Sequence, residues 1–127
     1  MPVNEYIQKA NDELLCICYC ETKAAYDHLE EILAVEGLDM VFIGPSDLSQ
    51  AFGVLGDTNN PKVLDAIQDI IERTKKAGLF VGTVASNPDR ARELFEKGAD
   101  LIVLSSDQGF MAQSAKQGVS ALKDLLE

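Results

Sequence analysis

The sequence predicts an α/β fold of four βα units behind a leading helix, on the strength of two observations. Four apolar runs of strand length, Leu14 to Cys20, Asp39 to Ile43, Leu79 to Val84 and Asp100 to Leu104, alternate with stretches whose apolar residues recur at helical spacing. Helix punctuation falls at the joints: Thr22, Pro61 and Asn87 stand where helices should open, and Gly37, Gly78 and Gly98 where they should close.

Val3 to Asn11 is expected to form a short helix. Leu14 to Cys20 is apolar on both faces and reads as a buried strand, with Glu21 at its carboxyl end. Cys16, Cys18 and Cys20 alternate within it, which puts all three on one strand face, opposite Ile17, Tyr19 and Glu21. Buried packing is their expected role. The alternative, a thiolate metal site, lacks the usual zinc spacing and any histidine on that strand. Thr22 caps a helix whose positions Ala25, Leu29, Ile32 and Leu33 form an apolar stripe up to Gly37. Asp39 to Ile43 is the second strand, from which Gly44-Pro45 forces a sharp exit into a helical turn through Leu48 to Phe52. After a loop of turn formers from Gly53 to Asn60, Pro61 opens a long helix with an inner stripe of Val63, Ile67, Ile70, Ile71 and Thr74. Leu79 to Val84 is strand three, Asn87 to Lys97 the next helix, and Asp100 to Leu104 strand four. Ser105-Ser106-Asp107 leads into a final helical segment ending in Leu122, Leu125 and Leu126, whose apolar side chains suit a neighbour or the chain's own body equally.

Strict βα alternation implies a parallel sheet with right-handed crossovers, either an open doubly wound sheet or part of a (β/α)8 barrel. Length alone favours the open sheet, because 127 residues make one domain and a complete barrel takes about 250. A net charge of −10 with no concentrated basic patch argues against nucleic acid or an anionic membrane surface as partner. The first residues lack the basic start and apolar core of a secretory signal and no run is long enough to span a bilayer, so the expected location is cytoplasmic. An odd cysteine count fits the same compartment, without a disulfide framework.

Two lone carboxylates, Glu21 and Asp47, sit at the ends of successive strands. Parallel strands deliver such residues to one face, where oxygen ligands suit a divalent cation such as Mg²⁺ or Mn²⁺. Taken singly, each also fits a structural role, Glu21 as a surface carboxylate and Asp47 at a helix N-terminus.

The blocks Glu21-Thr22-Lys23-Ala24-Ala25, Leu29-Glu30-Glu31-Ile32, Gly37-Leu38-Asp39 and Val41-Phe42-Ile43-Gly44-Pro45-Ser46-Asp47-Leu48-Ser49, in this order and spacing, resemble the HpcH/HpaI aldolases. The likeness continues through Gly53, Pro61, Gly98-Ala99-Asp100 and Ser105-Ser106-Asp107. These are class II, metal-dependent pyruvate aldolases. The resemblance implies that residues 1–127 form a single domain equivalent to the second half of a TIM (β/α)8 barrel, strands five to eight. It implies metal ligation by Glu21 and Asp47, and contact of Gly44, Pro45, Ser46 and Asp47 with pyruvate or a related 2-oxo acid. The implied activity is cleavage of 4-hydroxy-2-oxo acids to pyruvate and an aldehyde, in a homo-oligomer or with a complementary half-barrel.

The family's catalytic histidine and substrate-binding arginine belong to its first half, so no catalytic residue is assigned here. His28, the sole histidine, falls on a predicted helix and matches neither role, and Arg73, Arg90 and Arg92 also fall on helices. Ser105, Ser106 and Asp107 suit capping as well as substrate contact. The rival reading is a non-catalytic half-barrel used for binding or assembly. A third, an open-sheet regulatory domain with a phosphate site, lacks a glycine-rich phosphate loop.

Overall fold

The computed structural model describes residues 1–125 as seven α-helices and four parallel strands. Helix α1 (Val3–Glu13) leads into β1 (Ile17–Cys20), followed by α2 (Lys23–Asp27) and α3 (Leu29–Leu33). Then come β2 (Met40–Ile43), α4 (Pro45–Ala51), α5 (Pro61–Lys76), β3 (Phe80–Ala85), α6 (Pro88–Glu96), β4 (Leu101–Leu104) and α7 (Asp107–Ser120), with a closing 3-10 turn at Lys123–Leu125. Leu126 lies outside the described residues.

The caps expected at Thr22 and Asn87 form, and Asn60, expected only as the end of a loop, provides another. Thr22 Oγ1 accepts from the Ala25 amide at 3.1 Å, Asn60 Oδ1 from Lys62 at 3.2 Å and Asn87 Oδ1 from Arg90 at 2.9 Å. Each satisfies an amide that the first helical turn would otherwise leave unpaired. The helix expected from Thr22 to Gly37 is instead broken at His28, whose φ of −106° and ψ of 25° leave the helical region. Two short helices result, and Leu29 is still fully buried.

The sheet runs β1-β2-β3-β4 in strict sequence, with Cys20 beside Ile43, Ile43 beside Thr83, and Ala85 beside Leu104. A doubly wound sheet reverses its winding at a switch point. This one does not, which corrects the preference drawn from length alone. One-way right-handed winding carries successive crossovers to one face, as in a barrel. The core sits there: Cys20, Val41, Ile43, Val81 and Ala85 pack against Leu48, Val63, Ile67, Ile70, Ile71 and Leu94. The predicted inner stripe of α5 is buried throughout, with Ala66 added.

The opposite sheet face is covered only at its centre, where Met40 and Phe42 are buried against Gly82. A Cβ on Gly82 would lie 2.6 Å from Phe42 Cδ2, so glycine is what lets these side chains cross the sheet. Around them Ile17, Tyr19, Phe80, Val84, Leu101 and Val103 are exposed. The expectation of a β1 buried on both faces is therefore corrected. Leu14 and Leu15 precede the strand and are exposed, as is Cys16; Cys18 is half-buried and only Cys20 is fully enclosed. At its lower end β1 is tied to β2 by Asp39, whose Oδ2 accepts the Cys16 amide at 2.7 Å. Asp100 repeats the device between β3 and β4, accepting from Val81 at 2.8 Å while Lys75 pairs with it at 2.8 Å. Burial alone would raise the Asp100 carboxyl, but Lys75 and the Val81 amide outweigh it and hold it low.

Candidate metal and substrate site

The upper, carboxyl ends of the strands surround a cavity of about 580 Å³ lined by Glu21, Gly44, Pro45, Ser46 and Asp47. Glu21 reaches it because β1 ends at Cys20 and the Thr22 cap turns the chain away at once. Asp47 reaches it because Pro45 opens α4 immediately after β2, placing the carboxylate in the first turn of that helix. All the metal- and substrate-binding residues expected from the sequence thus share one wall.

The two carboxylate segments also touch. A Cβ on Gly44 would overlap Glu21 Oε2 and lie 3.2 Å from Glu21 Cβ. Gly44 therefore makes the niche in which the Glu21 carboxylate rests. The turn beyond is braced by Ser49, which is fully buried: its hydroxyl donates to the Ser46 carbonyl at 2.6 Å and accepts from the Gly56 amide at 2.9 Å. On the next strand Thr83, also fully buried, donates to the Ile43 carbonyl at 3.1 Å and ties the end of β2 to β3.

This donor set fits a hard divalent cation in part. Two carboxylates line one cavity, Glu21 in a niche kept clear by a glycine, while among the described residues no group of three histidine, cysteine, aspartate or glutamate side chains is placed to hold a metal. Hard cations take six or more oxygen ligands and complete their shells with substrate oxygens and water. Cysteine does not compete, since none of Cys16, Cys18 and Cys20 lines the cavity, and burial pushes the enclosed Cys20 thiol up to about 11.

His28 is exposed and turned to Glu31, with Nδ1 2.8 Å from Oε1, and that hydrogen bond raises its pKa. Arg73 pairs with Glu30 and Asp69, and Arg92 with Asp89. None of these three lines the cavity. Ser105 and Ser106 both lie on the cavity wall; Ser106 also caps α7 by accepting from Gly109 at 3.0 Å, and Ser105 takes a left-handed φ of 58°. Arg90 was missed as a site residue because it falls on a helix; the structure places it on the wall beside Ser86. The available signal was its place in the first turn after a strand end, the position Asp47 also occupies.

A model of the HpcH/HpaI aldolase/citrate lyase family matches residues 2–114. A hydroxypyruvate/pyruvate aldolase from Roseovarius nubinhibens is 38% identical over 115 residues, 91% of this chain and 45% of that protein. A 4-hydroxy-2-oxo-heptane-1,7-dioate aldolase from Shigella sonnei is 37% identical over 90% of this chain and 44% of its own length. The crystal structure of an HpcH/HpaI aldolase/citrate lyase family protein from Burkholderia cenocepacia superposes with a TM-score of 0.87 at 33% identity, covering 94% of this chain and 46% of that one. The chain spans less than half the length of these relatives, and its four parallel strands with alternating helices match a portion of their TIM-barrel-like fold. By its family match, its relatives and its fold, this chain belongs to the HpcH/HpaI aldolase/citrate lyase family.

Proposed function

We propose that this chain supplies the metal- and pyruvate-binding wall of a carbon–carbon lyase that cleaves 4-hydroxy-2-oxo acids to pyruvate and an aldehyde. The observation that carries the reading is the convergence of Glu21 with Gly44, Pro45, Ser46 and Asp47 on one cavity at the strand ends. The family is generally dependent on a divalent metal and acts on pyruvate and other 2-oxo acids. In this reading Glu21 and Asp47 hold Mg²⁺ or Mn²⁺, and a bound divalent ion supplies Lewis-acid polarisation of a 2-oxo acid and stabilises its enolate. Gly44 keeps the Glu21 carboxylate seated and free of competing side-chain bulk. The Pro45-Ser46-Asp47 turn offers backbone N–H groups to a substrate carboxylate without adding another side-chain charge, and Ser49 keeps that turn from relaxing. Tyr19 and Phe42 line the same cavity, and once the exposed sheet face is covered they keep water from the reacting carbons.

We further propose that residues 1–127 act as one domain, a C-terminal half-barrel. The edges at β1 and β4 and the exposed apolar sheet face close on a complementary half, which also brings the proton-transfer group and the substrate arginine, or on a second copy. The support is the exposure of Ile17, Tyr19, Phe80, Val84, Leu101 and Val103 on one face, an association hazard if left open. No helix among the described residues is long and apolar enough to cross a membrane, and we place the work in the cytoplasm.

Calorimetric titration of the chain with Mn²⁺, with and without pyruvate, tests the site. Binding that pyruvate strengthens and that Glu21→Gln and Asp47→Asn each abolish is the expected result. Unchanged affinity in both variants rejects the assignment. Light scattering with an apolar dye tests the half-barrel reading: a monodisperse monomer that binds no dye sinks it.

A further inference from the structure

We propose that Tyr19 is the acid of this site: its phenol hands a proton to C3 of the pyruvate enolate left when the carbon–carbon bond breaks. The inference rests on the 2-oxo acid reading above and adds a catalytic residue to it. Among the described residues that line the cavity, the titratable side chains are Tyr19, Glu21, Asp47 and Arg90. The two carboxylates are committed to the cation in that reading. Arg90 does not give up its proton and is paired with Glu93 at 2.6 Å. The serine and threonine hydroxyls on the wall are far weaker acids than a phenol, which leaves Tyr19 as the group suited to proton transfer.

The strand places the phenol. Alternation turns Tyr19 and Glu21 to one side of β1, while Cys18 and Cys20 turn to the helices. Two residues of strand rise about 6.6 Å, a gap that a tyrosine side chain can cover, so the hydroxyl and the Glu21 carboxylate serve one ligand. Tyr19 is paired in register with Phe42, and their rings lie 5.1 Å apart at 45°. Phe42 is itself buried over Gly82, where a Cβ would lie 2.6 Å from Cδ2. One glycine thus seats Phe42, and Phe42 seats the Tyr19 ring. Among the described residues the one side-chain hydrogen bond at Tyr19 reaches its carbonyl, from Cys18 Sγ at 3.8 Å, which leaves the hydroxyl free for a ligand.

Cleavage moves two protons. When the C4 hydroxyl loses its proton, an oxygen pair closes the aldehyde carbonyl, the C3–C4 pair becomes the C2–C3 double bond and the C2 carbonyl pair moves to its oxygen. The enolate returns to pyruvate when that oxygen pair re-forms the carbonyl and the C2–C3 pair takes a proton at C3. Tyr19 supplies this second proton; the O–H pair stays on the phenolate, which recovers a proton from water. The group that takes the hydroxyl proton is a separate one, brought by the complementary half.

Oxalate tests this without turnover. It has the planar shape of the enolate with an oxygen in place of C3, and so accepts a hydrogen bond that the methyl group of pyruvate does not. The full chain with Mn²⁺ is titrated with oxalate and with pyruvate, as wild type and Tyr19→Phe, with thermal melts as a check on folding. Deuterium uptake at C3 of pyruvate is followed in parallel by NMR. The expected result is that Tyr19→Phe binds oxalate about tenfold or more weaker, binds pyruvate as wild type does, and takes up deuterium about 100-fold or more slowly. Equal oxalate affinity in the two proteins, or uptake that survives in Tyr19→Phe or is absent from wild type, overturns the inference and leaves the pyruvate site standing. If Tyr19→Phe fails to fold, a tyrosine fluorinated beside its hydroxyl, placed at position 19, decides instead. As a stronger acid it should move the pH profile of uptake to lower pH, and an unmoved profile overturns the inference. If the wild type binds neither acid, the 2-oxo acid reading fails and takes this inference with it.

Discussion

Gly44→Ala separates the site from the fold. Gly44 has φ −97° and ψ 93°, ordinary for any residue, so alanine meets no backbone strain. The added methyl would, however, overlap Glu21 Oε2 and lie 3.2 Å from Cβ and 3.4 Å from Cδ of the same side chain. The end of a glutamate side chain moves more easily than a strand end, so the carboxylate should be displaced while the sheet stays as it is. Displacing a metal-ligating group through its support typically lowers affinity by about 10–100-fold, or about 1.4–2.8 kcal/mol. Mn²⁺ titration should show that loss, with a urea-unfolding free energy within about 1 kcal/mol of wild type. Gly118→Ala is the control: nothing lies within 4 Å of its Cβ position, and it sits inside α7. It should leave Mn²⁺ affinity unchanged and raise helix stability by up to about 1 kcal/mol. Wild-type metal affinity in Gly44→Ala would refute the role given to Glu21, and global unfolding would refute the claim that only the carboxylate moves.

Ser49→Ala should cost about 1–2 kcal/mol in urea unfolding, because it removes the buried hydroxyl that joins the Ser46 carbonyl to the Gly56 amide, and should also weaken Mn²⁺ binding by loosening the turn that carries Asp47. Thr74→Val should raise the melting temperature, with a gain of about 1 kcal/mol, since Thr74 Oγ1 is buried without a hydrogen-bond partner and valine has the same shape. Lys97 and then Arg90 hold the Glu93 carboxyl down to about 2 from its usual 4.5. Its folded-state value is therefore depressed: its contribution is complete above pH 4.5 and is lost as pH falls from there toward about 2. Because Glu93 is half-exposed, the effect is small, and an acid-unfolding curve of Glu93→Gln should be slightly flatter than wild type over that window. Identical curves would remove Glu93 from the acid response.

Much of this protein could be read from neighbouring residues. Thr22, Asn87, Pro45 and Pro61 mark helix starts because capping and proline geometry act within one turn of the chain. The spacing of Val63, Ile67, Ile70, Ile71 and Thr74 marks the buried side of α5 because a helix repeats every 3.6 residues whatever it packs against. The strand ends at Cys20 and Ile43 likewise put Glu21 and Asp47 on one rim, since parallel strands share a direction. Other features depended on partners distant in the chain. The break at His28, directly before the fully buried Leu29, has no signal in the local sequence. The exposure of Ile17, Tyr19 and Cys16 follows from the sheet being covered on one face, which apolar composition alone cannot report. Arg90 joined the cavity only when β3 paired beside β2 and aimed the first turn of α6 at the rim that Glu21 and Asp47 share. Sequence by itself determined the order of the elements, the helix starts and the two carboxylates, because those depend on contacts within a few residues. Tertiary structure decided which sheet face is covered, how the strands are ordered and which charges meet across the cavity, because those depend on pairings between segments tens of residues apart.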